Sequence, residues 1–189
     1  MGSMTPIHCR HRPRYFPTDI LLRGVKLLDL NYRESPEYDD QKYFPFYYFL
    51  GEDHFSRRAK VRQFGPKLGL IGACYMRGCP WPTDWLAWGD VRPPTLDNLK
   101  LFAKPGAEVS VSISEPEPDG SADLMLVTEE TADLERFWGH LSAEGWLVVD
   151  YIREAAVGDA FGRLCRAKNR EPVVIADTRY GVGLVKKEQ

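Results

Sequence analysis

Cysteine and histidine spacing is the first place where this sequence hints at chemistry. Cys74-x4-Cys79 lies just outside the tightest zinc-knuckle spacing, and His8-Cys9-x-His11 could complete a tetrahedral set. There is no second tight pair, however, and Cys74 falls in what reads as a strand. Plain reduced thiols, with Cys165 as the fourth cysteine, are therefore the expectation, and no metal and no cofactor are expected. Gly65-Pro66-Lys67-Leu68-Gly69-Leu70-Ile71-Gly72 has the look of a phosphate-cradling glycine loop. It lacks a Gly-Lys-Ser/Thr ending and no helix start is evident after it, so it reads as a hairpin turn followed by a glycine-punctuated strand. The sequence carries no G-x-S-x-G elbow, no H-E-x-x-H and no deaminase zinc signature. His140 falls near the end of an expected helix, where a surface or capping role explains it.

Charge is distributed more tellingly. Lys and Arg number 14 against 10 acids in residues 1–94, and 11 against 17 in residues 95–189. Arg57, Arg58, Lys60, Arg62 and Lys67, with Phe64 among them, suit phosphate contacts and base stacking along a single strand of nucleic acid. Between Lys104 and Arg136 nine acids occur without a base. Of these, Glu108, Glu129, Glu130, Asp133 and Glu135 point outward from the expected elements, a face that could steer a basic protein partner. Mutual neutralisation of the two halves is the plainer use of the same charges.

Trp81, Trp85 and Trp88 stand in a proline-rich stretch with no clean period. They either plug a seam or serve as aromatic anchors at a binding surface, and burial is the simpler expectation. A small-molecule enzyme would keep its site under this 81–88 loop.

The elements that must hold these residues read as follows. Residues 20–30 and 43–50 are apolar and aromatic runs of strand type, with Pro45 arguing for an edge position or a kink in the second. Residues 55–64 and 68–76 continue as antiparallel strands. Val109, Val111 and Ile113 alternate with polar residues, and a turn at 116–120 leads back through 124–127. Thr128 then caps a helix whose Leu134, Phe137, Trp138 and Leu141 share one face, with Gly145 closing it. Residues 146–152 read as a strand, Val157, Phe161, Leu164 and Cys165 as a second helix, and 173–176 with 182–185 as a closing hairpin.

The 189 residues, 43% hydrophobic and 28% charged, exclude a disordered or collagenous chain, and no apolar run reaches the 18 residues of a membrane span. Residues 1–3 read as an expression remnant ahead of Met4, no leader follows, and cytoplasmic residence is expected. The expected fold is α+β: residues 4–189 as one domain, with a β-rich part (4–92) of antiparallel hairpins and a β-β-α-β-α-β-β part (93–189). The expected function is a binding protein without catalytic machinery, of immunity or antitoxin type, meeting a basic protein through its acidic face. Nucleic-acid binding or nucleotide processing through residues 55–76 is the alternative, with no membrane partner in either case.

Overall fold

The aromatic run after residue 43 forms a helix rather than an edge strand. In the computed structural model, which describes residues 44–53, 59–175 and 180–188, helix α1 spans Phe44–Asp53. A proline in the first helical turn forfeits no hydrogen bond, so Pro45 is tolerated there. The expected strand over residues 20–30, with Arg57, Arg58, His8, Cys9 and His11, lies outside the described residues.

The described residues cluster into two compact units. One comprises residues 44–59 and 65–115. Besides α1 it contains α2 (Leu70–Gly78), β2 (Asp84–Trp88), α3 (Thr95–Leu101) and β3 (Glu108–Ser112). Residues 68–76 were expected as a strand, yet Leu70 to Met76 are all buried in α2. A helix covered all round shows no 3.6-residue period, so its sequence cannot be told from a buried strand. Gly51 and Gly78 explain how α1 and α2 pack: a Cβ at Gly51 would overlap the carbonyl of Tyr75, and one at Gly78 the carbonyl of Tyr48. β2 emerges from the tryptophan stretch expected as a loop, and pairs parallel with β3 from Asp84↔Glu108 to Trp88↔Ser112.

The other unit takes residues 60–64 and the described residues from 116 onward. It holds β1 (Lys60–Phe64), β4 (Ala122–Val127), α4 (Glu135–Trp138), β5 (Leu141–Asp150), α5 (Ala155–Ala167), β6 (Val173–Ile175) and β7 (Val182–Lys186). Its strand order is β1-β4-β5-β7-β6. β1–β4 and β4–β5 are parallel, while β7 runs antiparallel to β5 and β6. Leu124, Met125, Leu126 and Val127 are all buried, as a central parallel strand covered on both faces requires.

The expected antiparallel α+β fold is thus corrected to a mostly parallel, Rossmann-like α/β fold. β3 and β4, expected as a hairpin, do not pair with each other: β3 pairs with β2 and β4 with β1. The long helix expected over 128–145 shrinks to the four residues of α4. Leu134, Phe137 and Leu141 are buried as expected, but Leu141 opens β5, and Gly145 lies inside that strand. A Cβ on Gly145 would come 2.5 Å from the Ala122 carbonyl oxygen, so strand proximity, not helix capping, calls for glycine here. α5 and the β6–β7 hairpin form where expected.

Candidate functional site

Parallel strands place their carboxyl ends at one pole, where open α/β sheets bind ligands. In the unit of α2 and β2 that pole carries the turn of residues 65–69. Gly65, Lys67 and Gly69 all adopt positive φ, at 74°, 48° and 79°. Glycine takes this conformation freely, whereas a lysine held there is strained. The surrounding bonds hold it. The Gly65 amide donates to Trp88 O at 2.8 Å and the Lys67 amide to Asp90 O at 2.7 Å. The Thr95 hydroxyl donates to Lys67 O, and Asn98 Nδ2 to Leu68 O at 2.8 Å. A Cβ on Gly69 would meet the Thr95 carbonyl oxygen at 2.9 Å, so α3 leaves room only for glycine. Gly69 is the N-cap of α2 and no side chain caps that helix, an arrangement suited to a negatively charged ligand group.

Asp90 follows β2 and receives the fork of Arg92, with Nη2 to Oδ2 at 2.9 Å and Nε to Oδ1 at 3.4 Å. Its side chain keeps 37% exposure, so the carboxylate remains within a ligand's reach. In nucleotide-binding Rossmann folds an acid roughly 20 residues beyond the glycine turn holds ribose hydroxyls. Asp90 stands in that place.

In the other unit, Thr128 at the end of β4 donates its hydroxyl to Phe64 O at 3.1 Å and accepts Gln63 Nε2 at 3.0 Å. A hydroxyl has one proton, so this pair of bonds fixes the orientation of the Gln63 amide. Its Oε1 is then a fully buried acceptor with no donor. The next residue, Glu129, also holds its Oε2 away from solvent without a hydrogen-bond partner. The register Val127↔Val149 sets Thr128 and Glu129 level with Asp150 and Tyr151 at the end of β5. Tyr151 has φ 64° and packs its ring 4.9 Å from that of Tyr180.

The residues singled out by sequence are dispersed. Within the nucleic-acid set, the Lys60 amide donates to Asp123, buried Arg62 bonds its neighbour's carbonyl (Val61 O), and Phe64 packs against Phe137 under the Arg136 guanidinium. Lys67 belongs to the turn. Glu108 lies in β3 of one unit and the other acids of the proposed face in the other unit. There Glu135 pairs with Lys168 and Asp133 with Arg136, while Glu130 is exposed. Trp85 and Trp88 are buried and Trp81 is 46% exposed. His140 is buried, contrary to the surface position expected as one reading of it, and its amide donates to Phe137 O at 3.2 Å. Among the described residues no group of three metal-ligating side chains occurs, and Cys74, Cys79 and Cys165 are buried free thiols. Burial pushes all three thiols up, Cys165 to about 11, with Arg166 opposing weakly. Among the described residues no helix is long and apolar enough to cross a membrane.

Sequence reasoning considered the turn of residues 65–69 and set it aside, and it missed Gln63 and Asp90 altogether. The signal available was a strand, a glycine turn, an apolar segment and an acid in that order.

A strand, a glycine turn with alternating positive φ, a buried helix and an acid after the next strand define the class as a Rossmann-like α/β protein. Comparison with solved structures narrows this to the fold of the S-adenosylmethionine (SAM)-dependent methyltransferases. The SAH-bound methyltransferase PaMTH1 of Podospora anserina matches with TM-score 0.60 and 14% identity, covering 100% of both chains. The tRNA (m1A58) methyltransferase TrmI of Aquifex aeolicus matches at 0.59 and 15%, over 91% of this chain and 76% of its own. The O-methyltransferase TomG of Streptomyces achromogenes, involved in tomaymycin synthesis and solved with SAM, matches at 0.54 and 12%, over 77% and 79%. No family model and no curated protein matches the chain. These likenesses overturn the expected immunity or antitoxin function and the expected basic protein partner, because the matching structures are enzymes bearing this fold.

Proposed function

We propose that this protein is a SAM-dependent methyltransferase acting on a small molecule. The observation that carries the reading is the turn of residues 65–69, tied to Asp90 through the Lys67 amide and leading into an uncapped helix. The residues fit the donor: Gly69 has no space for a side chain, and Asp90 keeps an accessible carboxylate. The departure is Lys67, a side chain where the middle glycine of such turns allows close backbone approach.

When bound, the donor supplies an electrophilic methyl group on a sulfonium. In this reading the turn and the α2 N-terminus hold the carboxylate end of the ligand, and Asp90 accepts from ribose hydroxyls. A small acceptor suits the acidic second half better than RNA does, since nucleic-acid affinity is built on cations that neutralise phosphates. The named role of TomG in tomaymycin synthesis supports the same choice.

Calorimetry with S-adenosylhomocysteine tests the proposal. Saturable one-to-one binding is expected, weakened roughly tenfold or more by Asp90→Ala through loss of a charged hydrogen bond. No heat of binding to the native chain would overturn it.

A further inference from the structure

The large apolar side chains left at the surface are not spread evenly. Among the described residues they are Trp81, Leu101 and Ile113, and all belong to the unit of residues 44–59 and 65–115. Ile113 is 99% exposed and directly follows β3. Among the described residues β3 pairs with β2 and with no other strand, so it is a sheet edge. Natural edges are guarded by lysine, proline or a bulge, because their open backbone groups recruit another strand. Residues 108–114 read Glu-Val-Ser-Val-Ser-Ile-Ser, with no proline, no cation and an acid only at the start. The register with β2 runs without a bulge.

The ladder to β2 shows which backbone groups are open. The Glu108 amide donates to Thr83 O at 3.0 Å, so Glu108, Ser110 and Ser112 turn their N–H and C=O groups toward β2. Bonding direction alternates along a strand, so Val109 and Val111 turn theirs outward. Val109 and Val111 share one face and are half-buried, while Ser110 on the other face is exposed.

We infer that β3 is the interface with a second copy of this chain, paired antiparallel about a two-fold axis at Ser110. Val109 of each copy then stands opposite Val111 of the other. Both residues have outward N–H and C=O groups, and opposed residues of this kind exchange both N–H···O bonds. Ser110 meets Ser110 on the axis as the intervening pair without hydrogen bonds, with Cβ atoms about 5 Å apart. The valines of the two copies form one apolar row, and Ile113 comes level with Ala107 of the other copy. Glu108 comes opposite Ser112, which holds the two Glu108 residues roughly 13 Å apart along the strand. A slip by one residue would set each valine opposite a serine and turn outward groups against inward ones. This self-match selects a second copy over a foreign strand: one short segment supplies both sides of the apolar row, both bonding partners and the separation of its acid.

Sedimentation velocity of the full chain tests the pairing. The native chain should pass from monomer to dimer as its concentration rises from about 10 μM to about 1 mM. Ser110→Lys sets two cations face to face on the axis, at an exposed position, and should weaken dimerisation roughly fivefold or more with an unchanged thermal midpoint. Ser110→Glu should do the same with two anions. An equimolar mixture of the two variants should dimerise again, because opposite charges then meet on the axis. A native chain that stays monomeric over this range, dimers that persist in Ser110→Lys, or a mixture that remains monomeric overturns the assignment.

Discussion

Gln63 Nε2 donates to Thr128 Oγ1 at 3.0 Å, joining adjacent parallel strands β1 and β4 by a buried side-chain bond at their carboxyl ends. The same Thr128 hydroxyl donates to Phe64 O. Thr128→Val keeps the shape and removes the hydroxyl, leaving the Gln63 amide without its acceptor in a dry place. A loss of about 1–3 kcal/mol is expected, the cost of an unsatisfied buried polar group. Urea unfolding measures it, with a lower midpoint at unchanged slope as the expected result. Adding Gln63→Leu to Thr128→Val should recover part of the loss, since it removes the orphaned amide.

Lys67 tests the turn. A non-glycine residue in the left-handed region costs roughly 1–2 kcal/mol, partly offset by the stiffer unfolded chain it confers. Lys67→Gly should therefore be neutral or raise the melting temperature slightly. Lys67→Val, β-branched and ill suited to φ 48°, should lower it. Equal melting temperatures for the two variants would mean that the turn relaxes and its conformation is not imposed by Asp90, Thr95 and Asn98.

The buried thiols make stability depend on alkaline pH. Burial pushes Cys165 up to about 11 in the folded chain, against about 8.5 in an unfolded one. Above pH ~8.5 the unfolded chain releases the proton while the folded chain retains it, so stability is full below that pH and falls as pH rises toward about 11. Chemical denaturation across this range should show the fall, and Cys165→Ala should flatten part of it. In the native state at pH 8 the Cys74, Cys79 and Cys165 peptides should resist alkylation, and in denaturant all three should react.

How far the sequence discloses this fold depends on burial. α5 is legible because Val157, Phe161, Leu164 and Cys165 are buried along one face while Arg163 and Arg166 face water. α2 is not, since an unbroken buried run from Leu70 to Met76 carries no period. β4 suffers the same loss, and its apolar run matches a hairpin strand as well as a central parallel one. That misreading decided the function. Gly65–Gly69 was visible as a glycine turn, but without a helix after it a ligand site had no support. The outward acids misled for a related reason: Glu135 is spent on Lys168, a partner that only the folded chain brings close, and Asp133 on nearby Arg136.

Asp90 and Arg92 give the last prediction. Their fork orients the carboxylate beside the turn and occupies one lone-pair site on each oxygen. At 37% exposure for both side chains the pair contributes little to stability, no more than about 1 kcal/mol, so neither Asp90→Ala nor Arg92→Ala should shift the unfolding midpoint far. Ligand binding should separate them. Asp90→Ala deletes the acceptor for ribose hydroxyls and should weaken S-adenosylhomocysteine roughly tenfold or more. Arg92→Ala deletes only the group that orients the acceptor and should weaken it less. In the double variant the arginine has no carboxylate left to orient, so its substitution should add nothing to the loss from Asp90→Ala. Calorimetry on the four proteins closes this cycle, and strictly additive losses would show that Arg92 acts on the ligand directly and not through Asp90.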